Sequence, residues 1–213
     1  MSIEQMIEAQ WVQTRDRLVA KQLLGLSHAS LSLRIPGTNT MWFGAATDNA
    51  PRRIAVDDTA TAVPGSDLHF AIYAARKDVG AIGVGGGTFG RLLAHSGDAM
   101  PGVFDEQVRH LGRMCPAVGH VREVKRALGG GTNALIAQGD PVCLGMTASR
   151  LALNAELFEK CAKAFVLAMA AGSRVKQLPW LVRTVANGRL MKDERRAMER
   201  IQQGMLPEES RSY

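Results

Sequence analysis

Apolar side chains recur along this chain in two rhythms. Ile3, Met6, Ile7, Trp11, Leu18 and Leu23 return at helical intervals behind a Ser2/Gln5 pair with capping-box spacing, which predicts an amphipathic helix over the first twenty-odd residues, stopped near Gly25. The period then shortens to two. Leu31 and Leu33 alternate with Ser32 and Arg34, Pro36-Gly37 punctuates, and Met41-Trp42-Phe43 resumes, which together predict a hairpin. A third strand is expected over 53–56, ending at Asp57-Asp58. The helical period comes back after Pro64-Gly65-Ser66, with Leu68, Ile72 and Ala75 on one stripe and His69, Tyr73 and Arg76 on another, until Lys77-Asp78 breaks it.

Residues 79–84 are short, apolar and bounded by glycine, as a buried strand is. Helices are predicted over 89–95, 104–111 and 121–128, with loop at 96–100, a turn at Pro116 and a stop at Gly129 to Gly131. Two more strands, 133–137 and 142–144, are split by Gly139-Asp140-Pro141. A long helix capped by Thr147 or Ser149 places Leu153, Leu157, Cys161 and Phe165 on one face and ends at Gly172. After Pro179-Trp180-Leu181 a last helix is expected from about Met191 to Ile201, with disorder from 207 to 213. Such irregular interleaving predicts an α/β fold, a layered α/β/α sandwich with a mostly antiparallel central sheet, in one domain over 1–206.

Composition narrows the picture. At 213 residues and 46% apolar the chain buries a substantial core. Cys115, Cys143 and Cys161 are odd in number and far apart, so they read as reduced packing residues rather than a disulfide framework or metal site. The N-terminus lacks a basic-then-apolar leader, and no apolar run approaches the ~20 residues that cross a bilayer. A cytoplasmic protein without a membrane partner is expected. The net charge of +6 raises nucleic acid, but the one dense basic stretch, 183–200, interleaves Asp193, Glu194 and Glu199. A solvated face and a mild preference for anionic ligands are the expectation, not a nucleic-acid partner.

Four segments resemble one family in their order. They are GLSHASLSLR (25–34), LHFAIYAARKDVGAI (68–82), NALIAQGDPVCLGMT (133–147) and NAELFEKCAKA (154–164). The second is similar to an LHxxIYxxRPDVxAV pattern of the class II aldolase/adducin family, the group with fuculose-phosphate aldolase and ribulose-phosphate 4-epimerase. The resemblance runs from about residue 6 to 171 and implies a homotetramer with sites between subunits. It also implies a divalent metal, commonly zinc, held by a His-x-His after the central strand and a third histidine in a later His-Gly motif, with an acid/base glutamate ahead of the Leu-His helix. Those positions fall on Val84, Gly86, Gly139 and about Gly65, and none carries the family's residue. The phosphate-binding asparagine position holds Ala29-Ser30. Zinc chemistry, in which the metal polarises a carbonyl, therefore has no ligand set here, and no cofactor and no metal are expected.

What remains for chemistry is short. Gly85-x-Gly87-x-x-Gly90 formally matches a dinucleotide fingerprint, but no βαβ context precedes it. A turn made of Gly85, Gly86, Gly87 and Thr88 is a candidate anion nest through its backbone N–H groups. His28, His69 and Tyr73 are the candidate proton carriers, and Ser30, Ser32 and Arg34 join His28 as a candidate binding cluster. Three functions stay open: a metal-independent, degenerate member of the group binding a small carboxylate or phosphate; a lyase or isomerase with a non-metal acid/base mechanism; and a non-catalytic assembly protein.

Overall fold

The computed structural model describes residues 2–56, 63–97 and 99–208. Among these, the chain runs α1 (Ile3–Ala20), β1 (Ser30–Arg34), β2 (Thr40–Ala45), β3 (Arg52–Ala55), α2 (Asp67–Ala75), β4 (Ala81–Val84), α3 (Thr88–Ser96), α4 (Asp105–Leu111), α5 (Val124–Ala127), β5 (Ala134–Ala137), β6 (Asp140–Gly145), α6 (Ala148–Ala170) and α7 (Trp180–Gln202). The expected turn at Asp57-Asp58, part of the 96–100 loop and the tail beyond 208 lie outside the described residues.

One sheet in the order β3-β2-β1-β4-β6-β5 forms the middle layer, every neighbouring pair antiparallel. Strand side chains alternate between faces, and this sorts the core into two layers. Leu31 and Leu33 of β1 pack with Ile7 and Trp11 of α1, Leu93 of α3, and Leu151, Phe158 and Cys161 of α6. Ile82 and Val84 of β4 and Val142 and Leu144 of β6 face the other way, onto Leu68, Ile72 and Tyr73 of α2 and Val124 of α5. The α/β/α sandwich with an antiparallel sheet is therefore the observed architecture. Each fully buried large side chain contributes roughly 1.5–3 kcal/mol to it.

Three local expectations differ. The buried face of α6 is Leu151, Asn154, Phe158 and Cys161, while Leu153 is 40% exposed. Asn154 hides the true stripe, because its polar side chain is buried donating to the Leu144 carbonyl at 2.7 Å. Helix α7 begins at Trp180, directly after Pro179, rather than near Met191. Its first turns bury no side chain below Ala186, so no apolar period marks them. Finally, β6 begins at Asp140: Gln138 and Gly139 alone turn the chain, with φ of +53° and +88°.

Candidate functional site

The sheet order places the ends of β1 and β6 on either side of the end of β4. Ser30, Val84 and Val142 stand in register across the three strands. One step further come Ala29, Gly85 and Pro141, with the Gly85 N–H donating to the Pro141 carbonyl at 2.9 Å. Beyond these, at the ends of the two outer strands, His28 and Asp140 reach toward each other, and His28 Nε2 lies 2.8 Å from Asp140 Oδ2. A carboxylate accepts, so Nε2–H is the donor in this contact. The imidazole is 61% exposed and the carboxylate 21%, so the pair is open to a small molecule. Such an exposed pair contributes at most about 1 kcal/mol to the fold, which makes it a poor structural device.

The other expected carriers lie elsewhere. On β1, Ser30, Ser32 and Arg34 share the face that meets the His69, Tyr73 and Arg76 stripe of α2. His69 Nε2 is 2.9 Å from Ser30 Oγ, and its Nδ1 is 2.7 Å from Ser32 Oγ, which in turn meets Tyr73 Oη at 3.0 Å. His69 and Tyr73 are 0% exposed. Burial pushes His69 down to about 3 and pushes the Tyr73 phenol well up, so neither exchanges a proton near neutrality. Arg34 closes the ladder, lying over the Tyr73 ring at 4.4 Å and donating to the Tyr73 carbonyl at 2.9 Å. The cluster of His28 with Ser30, Ser32 and Arg34 is thus divided: His28 stands at the open end, and the other three belong to the buried ladder.

Just past the glycine turn, the first turn of α3 already has an anion. The carboxylate of Glu159, from α6, accepts from Phe89 N–H at 2.7 Å and Gly90 N–H at 2.9 Å, capping α3 from outside its own sequence. A Cβ on Gly87 would stand 2.5 Å from Glu159 Cδ, so the turn is closed down onto that carboxylate. Both neighbours of β4 are antiparallel to it, so the formal dinucleotide fingerprint has no parallel βαβ unit around it.

The same architecture recurs in solved structures. YgbL of Escherichia coli superposes with a TM-score of 0.73 at 16% identity, over 87% of this chain and 100% of that one. An L-fuculose 1-phosphate aldolase matches at 0.72 and 16%, over 87% and 96%. The L-fuculose 1-phosphate aldolase of Glaciozyma antarctica PI12 matches at 0.71 and 16%, over 97% and 95%. The chain has the class II aldolase fold. No family model and no curated protein matches the sequence.

On this fold, the three positions where the resemblance puts histidine ligands do not fit a metal. Val84 is buried in the α2-side core, with no donor. Gly86 has φ of +62°, and a Cβ there would stand 2.5 Å from Pro141 Cγ, so Pro141 fills the space a second ligand needs. Gly139 faces open space without a side chain. Among the described residues no three His, Cys, Asp or Glu side chains gather as a metal site.

Two acids at this end escape a linear reading. Asp140 pairs with a histidine 112 positions away, and Glu159 caps a helix 69 and 70 positions away. Only Asp140, beside the position where the resemblance puts a third ligand, carried a local signal. The three cysteines are free, and burial pushes the Cys143 and Cys161 thiols up to about 12.

Proposed function

We propose that this class II aldolase-like protein binds a small carboxylate or phosphate at the His28–Asp140 pair, without the family's zinc. The observation that carries the reading is the 2.8 Å contact between those side chains, across the end of β4 where the resemblance puts the metal. His28 acts there as hydrogen-bond donor and proton carrier, and Asp140 fixes its ring and tautomer. His69, Tyr73, Ser30, Ser32 and Arg34 serve as the polar spine between β1 and α2. The glycine turn supports the site as backbone and leaves its helix N-terminus to Glu159. The resemblance adds a homotetramer with the site near a subunit boundary.

The same pair favours a second reading, a lyase or isomerase acting on a small hydroxy or keto acid. An imidazole oriented by a carboxylate is suited to moving a proton next to a carbonyl.

Thermal unfolding with phosphoglycolate, glycolate and inorganic phosphate tests the first reading. A ligand at about 100 times its Kd adds ~2.7 kcal/mol, a rise of several degrees for a chain of this size. His28→Ala and Asp140→Ala abolish that rise. An equal rise in both variants, or none in the wild type with any of the three, contradicts the proposal.

A further inference from the structure

The first turns of α7 keep their apolar side chains off the body, and only Arg183 among them lies against it, near Gly102. Trp180 is 69% exposed, Leu181 58%, Val182 39% and Val185 51%, and the first buried residue of this 23-residue helix is Ala186. The tip is held from behind by Leu178 N–H on the Gly102 carbonyl at 2.9 Å, and α7 packs along α4. Scattered apolar residues are ordinary on a soluble surface, but an indole and three aliphatics in successive turns mark a contact surface.

The segment that carries the tip is charged with one sign along the chain. Residues 160–192 contain seven Lys or Arg and no Asp or Glu. Of these Arg174, Lys176, Arg189 and Lys192 are exposed. Helix α7 also lacks a side-chain N-cap, so the positive end of its dipole points the same way.

We propose that this tip docks on an anionic bilayer surface. Trp180, Leu181 and Val185 enter the headgroup region, and Arg174, Lys176, Arg189 and Lys192 stand above it against lipid phosphates and carboxylates. An isologous contact with a second copy sets the same cations face to face. Single-stranded nucleic acid needs stacking faces, and one indole among three aliphatics does not supply them. A fluid bilayer accepts an apolar tip without a shaped groove. No helix among the described residues is long and apolar enough to cross a membrane, so the contact is peripheral.

Vesicle co-sedimentation of the full chain, read together with tryptophan emission, tests this. Vesicles with about 30% phosphatidylserine in phosphatidylcholine bind the protein, neutral vesicles bind it weakly, and added salt releases it. Emission shifts to the blue on binding, and Trp180→Phe removes the shift while buried Trp11 and half-buried Trp42 stay silent. Leu181→Glu lowers partition at least about tenfold with an unchanged Tm, since Leu181 is exposed, and Lys176→Glu weakens binding at low salt. Absence of binding to anionic vesicles, or undiminished binding by Leu181→Glu, overturns the proposal. So does a wild-type oligomer that Leu181→Glu dissociates in analytical ultracentrifugation, which assigns the tip to a second copy. Binding of a short single-stranded RNA that Leu181→Glu abolishes also overturns it.

Discussion

A buried imidazole between two serine hydroxyls ties His69 to stability rather than turnover. The folded protein holds it neutral down to about pH 3, whereas an unfolded chain protonates it from the ordinary 6.5. Its contribution is therefore complete above pH 6.5 and is lost as pH falls toward 3, by about 1.4 kcal/mol per unit. His110, pushed down to about 4 by burial and then by the Arg150 and Arg109 charges, acts in the same direction, weakened by its contact with water. His69→Gln flattens the acid limb of a urea-unfolding series, and an unchanged limb contradicts the assignment. Introducing the histidine that the resemblance calls for is expected to fail for a steric reason. Gly86→His must place a Cβ against Pro141 at a positive φ, so it destabilises by about 2 kcal/mol or more and recruits no zinc by calorimetric titration.

At the scale of elements, α3 is fastened by an acid from afar and α7 by an acid of its own. Glu159 caps α3, so Glu159→Ala costs about 1 kcal/mol and frees the Phe89 and Gly90 N–H groups. Phosphate then raises the Tm of the variant more than that of the wild type, and equal rises contradict the cap's role. Glu194 fastens α7, lying 2.8 Å from Arg76, which itself grips Asp78 through two bonds of 2.7 and 2.6 Å. Burial first, and the Asp78 charge, raise Glu194 to about 7 against the pull of Arg76. Its contribution is complete below the ordinary 4.5 and is lost as pH rises toward 7. Between 4.5 and 6.5 it opposes the His69 slope, so Glu194→Gln steepens the acid loss there by about 1.4 kcal/mol per unit. These fastenings explain what was legible. Helices and strands with one apolar period, such as α1, β1 and α2, show in the sequence because their cores are local patterns. The face of α6, hidden by Asn154, and the start of α7, whose apolar side chains stay exposed, do not.

Over the whole molecule, the LHFAIYAARKDVGAI segment and the order of elements made the class II aldolase fold readable at 16% identity to its solved relatives. The candidate site was half legible in the sequence. His28 lies in a strand-entry motif, but its partner is brought over by sheet order alone, which no spacing along the chain encodes. The glycines marked the place and not the content, because Pro141 and Glu159 fill it from other elements. On the proposed reading, His28 and Asp140 stand where the resemblance puts a metal and hold a small anion. The most direct test of that reading is the imidazole NMR spectrum of chelator-treated protein titrated with phosphoglycolate. Of five histidines, His28 alone shifts and saturates, and Asp140→Asn weakens the titration about tenfold. A silent His28 while phosphoglycolate stabilises the fold, or a shift that requires added zinc, contradicts it.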